Sequence, residues 1–174
     1  MKAWIPATLV ALLLAIGIGA AAYVTLGRGG SPGSPSPTPS VDLHSDAAVI
    51  AAIKHYYVLE DQSRKTGDIQ PIASITSGPG TPAYENFKAF LQEQSSQGRH
   101  SVSISDQFSN WSITLTGSQA TALYTLVQRG HDTDATTGAA VEPDMSTPPS
   151  HYRATLHLDS VGWRIYQRDF LGHD

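Results

Sequence analysis

The spacing of apolar residues changes once along the chain, from a helical period to a strand period. Between residues 45 and 98, apolar side chains recur every three or four positions, as on one face of an amphipathic helix. From residue 100 onward they alternate with polar side chains, as in half-buried strands. Helices that precede a run of antiparallel strands predict an α+β domain, with the helices packed across one face of the sheet.

The first predicted helix is the longest. Ser45 is a good N-cap, Asp46 suits the positive end of the helix dipole, and Gly67 ends the pattern. The residues expected on its buried stripe are Val49, Ile50, Ile53, Tyr56 or Tyr57, and Glu60.

Two further helices are predicted after it. Residues 68–76 contain Pro71 and predict a short helix or turn. The next helix is capped by Thr81, begins at Pro82 and ends at Gly98. Its expected buried face consists of Tyr84, Phe87, Phe90 and Leu91.

About four antiparallel strands are predicted in the remaining chain. They lie in the stretches "HSVSISDQF", "NWSITLTGSQATALYTLVQRG" and "HYRATLHLDSVGWRIYQRDF", with the last pair turned at residues 159–162. The polar residues 130–149 separate the two strand pairs and predict a long loop. Together these elements predict a curved antiparallel sheet behind three helices.

The last hairpin is expected to have two different faces. Trp163 and Ile165 belong to the core face with Tyr152, Ala154, Leu156 and Leu158. The opposite face is expected to show basic and aromatic side chains, which buried interface centres favour. The candidate partner surface consists of Arg153, Arg164, Tyr166 and Arg168. The alternative is the ordinary polar outer face of an antiparallel sheet.

The N-terminus predicts export of the domain. Residues 4–26 are uncharged and span about 34 Å as a helix, enough to cross a bilayer. We therefore predict that residues 1–28 form a single transmembrane anchor. The alternative is a signal peptide, because Ala20 and Ala22 give a small-x-small cleavage pattern and would release a secreted protein. Residues 29–40, rich in Gly, Ser and Pro, predict a semi-stiff linker before an extracytoplasmic domain at 41–174.

Composition narrows the classes of function. Lys2 and Arg28 lie before the domain, so the domain keeps nine of the 11 basic residues against 15 acidic ones. This balance argues against nucleic-acid binding, which needs a basic surface. The chain has no cysteine, which excludes disulfides, thiol catalysis and zinc–thiolate sites. The "HDTD" stretch at 131–134 lacks the glycine and the alternation of a calcium loop, so no metal or cofactor site is predicted.

Three local features carry a resemblance to a known superfamily. They are "HYY" in the first helix, the Gly-Asp pair that follows it, and "GWRI" in the last strand. With the element order, they make residues 45 to about 171 resemble the nuclear-transport-factor-2-like superfamily, in which a cone of curved sheet wraps on a long N-terminal helix. Behind a membrane span and a Ser/Pro linker, the layout also resembles exported actinobacterial membrane proteins, such as those associated with mammalian-cell-entry transport.

The resemblance implies two different uses of the fold. Its enzymes, such as steroid isomerases and polyketide cyclases, set an acid or His against a Tyr in the cone's cavity. The candidates here are Tyr56 or Tyr57 with Asp106, His100 or His157, and a cavity lined by Tyr57, Trp111 and Tyr124. These residues match no enzyme motif position by position, and buried core tyrosines are the alternative. Other members dimerise or dock partners through the outer sheet face.

We therefore predict a non-enzymatic, membrane-tethered extracytoplasmic module that binds a protein partner, or itself, through its sheet. The alternative is a small-ligand-binding or isomerase/cyclase-like domain that uses the cone cavity. An open cavity with convergent polar groups would favour the alternative, and a cavity plugged by aromatic rings would favour the binding module.

Overall fold

The computed structural model describes residues 42–174 of the chain. The predicted anchor at 1–28 and linker at 29–40 lie outside the described residues, so they stay predictions. Among residues 42–174, no helix has both the length and the apolar character needed to cross a bilayer.

Helix α1 (Asp46–Thr66) has the boundaries that its capping residues predict. The Ser45 side chain accepts a hydrogen bond from the backbone N–H of Ala48. At the other end Gly67 adopts a φ of 72°, a left-handed conformation that favours glycine, and its N–H donates to the Ser63 carbonyl. The buried face consists of Ala48, Val49, Ile53, Tyr56, Tyr57, Glu60 and Ser63.

Helices α2 (Gln70–Ala73) and α3 (Pro82–Ser96) follow as predicted, with a proline at or next to the start of each. The Thr81 hydroxyl donates to the Gly78 carbonyl instead of capping the N–H groups of α3. Of the expected buried face of α3, Tyr84, Phe87 and Leu91 are buried, while Phe90 is only partly covered.

The helices pack on one antiparallel sheet in the order β1-β2-β4-β5, with the short β3 paired to β2. The strands are β1 (Arg99–Thr116), β2 (Gln119–Asp134), β3 (Met145–Ser146), β4 (Ser150–Asp159) and β5 (Gly162–His173). The predicted loop at 130–149 is therefore shorter than expected, because β2 continues through its polar residues to Asp134. Backbone hydrogen bonds to β1 stabilise this extension of β2, and they do not require apolar side chains.

The core lies between the helices and the inner face of the sheet. Val49, Ile53 and Phe87 supply its helical side. Small residues at the centre of the sheet leave room for the tyrosine rings of α1. The inward residues of β2, β4 and β5 in this core include Ala120, Ala122, Leu126, Ala154, Leu156, Trp163 and Ile165. Of the predicted core face of the last hairpin, Ala154, Leu156, Trp163 and Ile165 are buried, while Tyr152 and Leu158 are partly buried against the core.

A β-bulge in β5 overturns one predicted position. Leu156 pairs with Ile165, but its neighbour Thr155 pairs with Gln167, so Tyr166 is an extra residue in β5. Because side chains alternate across a strand, the extra residue moves the side chains from Gln167 to Phe170 to the opposite face, until a second irregularity at Leu171. Arg168 therefore lies on the inner face, opposite the buried Ala154. The prediction that Arg168 belongs to the outer surface is wrong.

The β1–β2 pairing makes one glycine necessary. A Cβ atom added at Gly130 would lie 2.2 Å from the backbone carbonyl oxygen of Val102. We expect Gly130→Ala to force the two strands apart and to lower the free energy of unfolding by about 1–3 kcal/mol. Urea denaturation checks this. The control is Ser109→Ala, because Ser109 is an exposed residue of β1. We expect its free energy of unfolding to stay within about 0.5 kcal/mol of the wild-type value. Equal stabilities of the two variants would contradict the close approach.

Candidate functional site

A buried group of three charged residues joins α1 to β5. We call Glu60, Arg64 and Arg168 the charge cluster. Arg168 Nη1 and Nη2 donate to Glu60 Oε2 at 3.1 Å and Oε1 at 3.3 Å. Arg64 Nη2 donates to Glu60 Oε1 at 2.7 Å. The Glu60 side chain is 2% exposed, and those of Arg64 and Arg168 are 21% and 22% exposed.

The two arginines keep Glu60 ionised inside the fold. Burial by itself raises the pKa of Glu60, because it removes water from the carboxylate. The positive charges of Arg168 and Arg64, with their hydrogen bonds, outweigh burial and hold the pKa below its usual value. The cluster therefore carries one negative and two positive charges at neutral pH.

Three aromatic rings lie around the guanidinium group of Arg168, and one lies against that of Arg64. The Arg168 guanidinium carbon lies 5.4 Å from the ring centre of Tyr56 and 5.3 Å from those of Tyr57 and Tyr152. The Arg64 guanidinium carbon lies 4.8 Å from the ring centre of Phe90 on α3. Cation–π attraction at such distances partly replaces the water that burial removes from the arginines.

The charge cluster lies at a small cleft between α1, α3 and β5. The cleft has a volume of about 110 Å³. Among residues 42–174, Glu60 is the only acid that lines the cleft, and two arginines line it as well. The other lining residues are Tyr56, Ala83, Asn86, Phe87 and Phe90. The cleft thus combines a net positive charge with apolar walls.

The structure brings the three predicted cavity residues together, but as a packed stack. The hydroxyl oxygens of Tyr57 and Tyr124 are 3.0 Å apart. Trp111 stacks on Tyr124 with ring centres 4.9 Å apart. Phe108 contacts both Tyr57 and Trp111, at 5.1 and 5.7 Å between ring centres. Tyr152 also stacks on Tyr124, with ring centres 5.7 Å apart. These rings occupy the interior that a substrate of the fold would need.

Burial keeps the two paired tyrosines protonated. It raises the pKa of Tyr57 to about 12, although the Arg168 charge opposes the shift. Burial also raises the pKa of Tyr124 well above its usual value, with the Tyr57 ring adding to the effect. Both phenols are therefore neutral at physiological pH, and neither is a base.

The predicted acid–base partners do not gather around these phenols. His157 stacks on Tyr166 on the outer face, with ring centres 4.6 Å apart. His100 lies beside the end of α1. Asp106 lines an open groove of about 200 Å³ with Tyr57, but its carboxylate accepts a hydrogen bond from Gln128 at 3.1 Å.

The outer face of β4 and β5 shows the other predicted arginines in ion pairs. Arg153 Nη2 lies 2.8 Å from Asp169 Oδ2, and Arg164 Nε lies 3.1 Å from Asp159 Oδ2. The predicted basic stripe is therefore largely neutralised. Exposed ion pairs of this kind contribute little to stability, so a partner can rearrange them at small cost.

Two exposed leucines lie near each other on this part of the sheet. Leu123 pairs with Arg153 across β2 and β4 and is 42% exposed. Leu171 is 52% exposed and lines a groove of about 270 Å³ together with Leu123 and His151. We define the outer patch as Leu123, Arg153, Arg164, Tyr166 and Leu171. Strand alternation predicts the two arginines and Tyr166 there, and the leucines were not singled out by the sequence.

A hydrogen bond and an ion pair hold Asp144 against β2, at the "HDTD" stretch and the arginine before it. Asp144 Oδ1 lies 2.8 Å from His131 Nδ1, and Asp144 Oδ2 lies 3.2 Å from Arg129 Nη2. Among residues 42–174 no group of three or more His, Asp or Glu side chains is arranged to hold a metal ion.

Comparisons with known proteins show the fold but not a family. No family model and no curated protein matches the sequence. The intermembrane-space region of chloroplast protein ARC6 is 13% identical over 77% of this chain and 99% of that chain, with a TM-score of 0.54. Protein Kfla4162 from Kribbella flavida is 12% identical over 72% and 88%, with a TM-score of 0.51. A Catenulispora acidiphila structure is 14% identical over 72% and 92%, with a TM-score of 0.50.

At these identities the likeness concerns the fold alone. Three helices on one curved antiparallel sheet, with a long first helix, support the nuclear-transport-factor-2-like fold that the sequence resemblance implied. This fold does not by itself indicate an activity.

The charge cluster makes a testable contribution to stability. Glu60→Gln leaves two buried guanidinium groups without a counter-charge, so we expect a loss of about 3–5 kcal/mol in the free energy of unfolding at pH 7. Because the pKa of Glu60 is lower in the folded state, its contribution is complete above the unfolded pKa of about 4.3 and disappears as the pH falls through the folded value.

Urea denaturation at pH 7 and pH 3 separates the two effects. The difference in the free energy of unfolding between the wild type and Glu60→Gln should be smaller at pH 3 than at pH 7. The variant Glu93→Gln changes an exposed acid and should be as stable as the wild type at pH 7. A Glu60→Gln variant as stable as the wild type at pH 7 would contradict the role of the cluster.

Proposed function

We propose that the domain is a non-enzymatic binding module that docks a protein partner through the outer patch. In this proposal residues 4–26 anchor the chain in the membrane, and the linker at 29–40 holds the domain outside the cytoplasm.

The filled interior is the observation that carries the proposal. An enzyme of this fold needs an open cavity with convergent polar groups. Here the packed rings of Tyr57, Phe108, Trp111, Tyr124 and Tyr152 occupy that position, and the hydroxyls of Tyr57 and Tyr124 form a hydrogen bond with each other. This packing favours a structural role for the aromatic residues. It therefore favours binding on the outer surface of the domain over binding inside it.

The outer patch has the chemistry of a protein interface. Arg and Tyr are enriched at the energetically important centres of interfaces. Arg153 and Tyr166 supply these types, and Leu123 and Leu171 add exposed apolar area beside a groove. A partner that covers the leucines gains burial energy while the arginines keep or exchange their carboxylate partners.

A second candidate, an isomerase-like use of the cone, has one observation in its favour. Tyr57 and Asp106 both contribute to the lining of one open groove, so the residue types of a phenol donor and a carboxylate base occur there. This use would require the Tyr57 hydroxyl to leave Tyr124. Tyr57→Phe together with Asp106→Asn would then abolish turnover, whereas a docking module would keep its partner.

Photo-crosslinking tests the docking surface. We expect a photo-reactive amino acid at position 123 of the full-length chain to give one discrete adduct in cells that normally produce it. Position 58 on α1 is the matched control, because Val58 is also exposed but lies on the helical side. The adduct should weaken at least tenfold when Arg153 and Leu171 are both changed to Ser. Equal adducts from positions 123 and 58, or none from 123, would contradict the proposal.

Thiol labelling tests the topology separately. Because the chain has no cysteine, Val161→Cys places a single thiol in the exposed turn between β4 and β5, where Val161 is 71% exposed. We expect a membrane-impermeant maleimide to label this variant in intact cells, and the labelled chain to sediment with membranes. Labelling only after lysis would contradict an extracytoplasmic domain, and labelled chain in the medium would favour the cleaved signal peptide.

A further inference from the structure

We propose that the cleft at the charge cluster binds a small organic monocarboxylate. The site is separate from the outer patch, so the inference does not depend on the proposed function. It rests on the charge balance, the free donors and the shape of the cleft between α1, α3 and β5.

The charge balance favours an anion. Arg64 and Arg168 share one carboxylate, that of Glu60, and no other acid of the described chain lines the cleft. Water screens the remaining positive charge poorly, because about four fifths of each arginine side chain is covered. One further negative charge would balance the cluster.

The guanidinium groups also keep donors for that anion. Two guanidinium groups offer ten N–H donors, and three hydrogen bonds to Glu60 account for part of them. Arg64 Nε is buried and has no hydrogen-bond partner among the described residues. The paired N–H groups along an edge of a guanidinium match the two oxygens of a carboxylate.

The two arginines differ in how many of their guanidinium N–H groups are used in hydrogen bonds to Glu60. Arg168 holds both oxygens of Glu60 and lies among three tyrosine rings. Arg64 makes one hydrogen bond to Glu60, and it leaves one edge of its guanidinium for a second acceptor. We therefore assign the primary contact with the ligand to Arg64. The positive charge of Arg168 adds to the electrostatic attraction of the cleft for an anion.

The walls select the kind of anion. Phe87 and Phe90 stack against each other with ring centres 5.8 Å apart and form an apolar side of the cleft. A volume of about 110 Å³ admits a carboxylate with a short apolar tail. A phosphate ion has no apolar part that could pack against these rings, and it would place polar oxygens there instead. The cleft should therefore bind a carboxylate with an apolar tail more tightly than phosphate.

Titration of the full-length chain in detergent with isobutyrate tests the site, with binding followed by calorimetry. Isobutyramide has the same shape without the charge, and we expect it to bind at least tenfold more weakly. Inorganic phosphate should also bind at least tenfold more weakly than isobutyrate. Equal or tighter binding of either probe would overturn the proposal.

Variants then locate the binding. We expect Arg64→Gln to lower isobutyrate affinity at least tenfold, and Arg64→Lys to lower it less because the charge remains. Arg99→Gln at the start of β1 is the matched control, because the Arg99 side chain is partly exposed and pairs with Asp132 away from the cleft, and it should bind as the wild type does. If Arg64→Gln does not fold, Asn86→Trp serves instead, since it blocks the mouth of the cleft from an exposed position. Unchanged affinity in a folded Arg64→Gln or Asn86→Trp protein would overturn the proposal.

Discussion

The ion pair between Glu60 and Arg168 joins two segments that are 108 residues apart in the chain. A carboxylate buried to this degree cannot remain ionised without a close positive partner. The last strand must therefore bring Arg168 inward to meet α1. The bulge at Tyr166 does this, because it reverses the alternation of β5 after the core residues Trp163 and Ile165.

The aromatic interior follows from the same constraint. Once Arg168 lies inside the cone, rings rather than aliphatic side chains surround it, since their faces attract a cation. Tyr56, Tyr57 and Tyr152 take these places, and the stack continues through Tyr124. The interior is thus occupied by a structural cation and its rings. This arrangement supports a module that binds at its surface.

The elements with local signals could be predicted from the sequence. Ser45 and Gly67 define α1 because a cap and a left-handed residue act within one turn of the helix. The turn at 159–162 is equally local, as Asp159 Oδ1 accepts hydrogen bonds from the N–H groups of Val161 and Gly162. The extension of β2 to Asp134 was missed, because its backbone pairing needs no apolar side chains.

The candidate site was harder to predict, because it depends on contacts between distant residues. No glycine or other local signal marks the bulge at Tyr166, so strict alternation placed Arg168 on the wrong face. Glu60 did carry a usable signal. It occupies the apolar stripe of α1, and an acid at such a position requires a buried cation. Arg64, one turn later on the helix, satisfies that requirement only in part.

A double-mutant cycle between Glu60 and Arg168 tests the central claim most directly. The free energy of unfolding would be measured for the wild type, Glu60→Gln, Arg168→Gln and the double variant. We expect a coupling energy of about 1–3 kcal/mol, because each single change leaves its partner buried and alone while the double change removes both charges. A coupling energy near zero would show that the two side chains act independently, and it would contradict a fold organised around this ion pair.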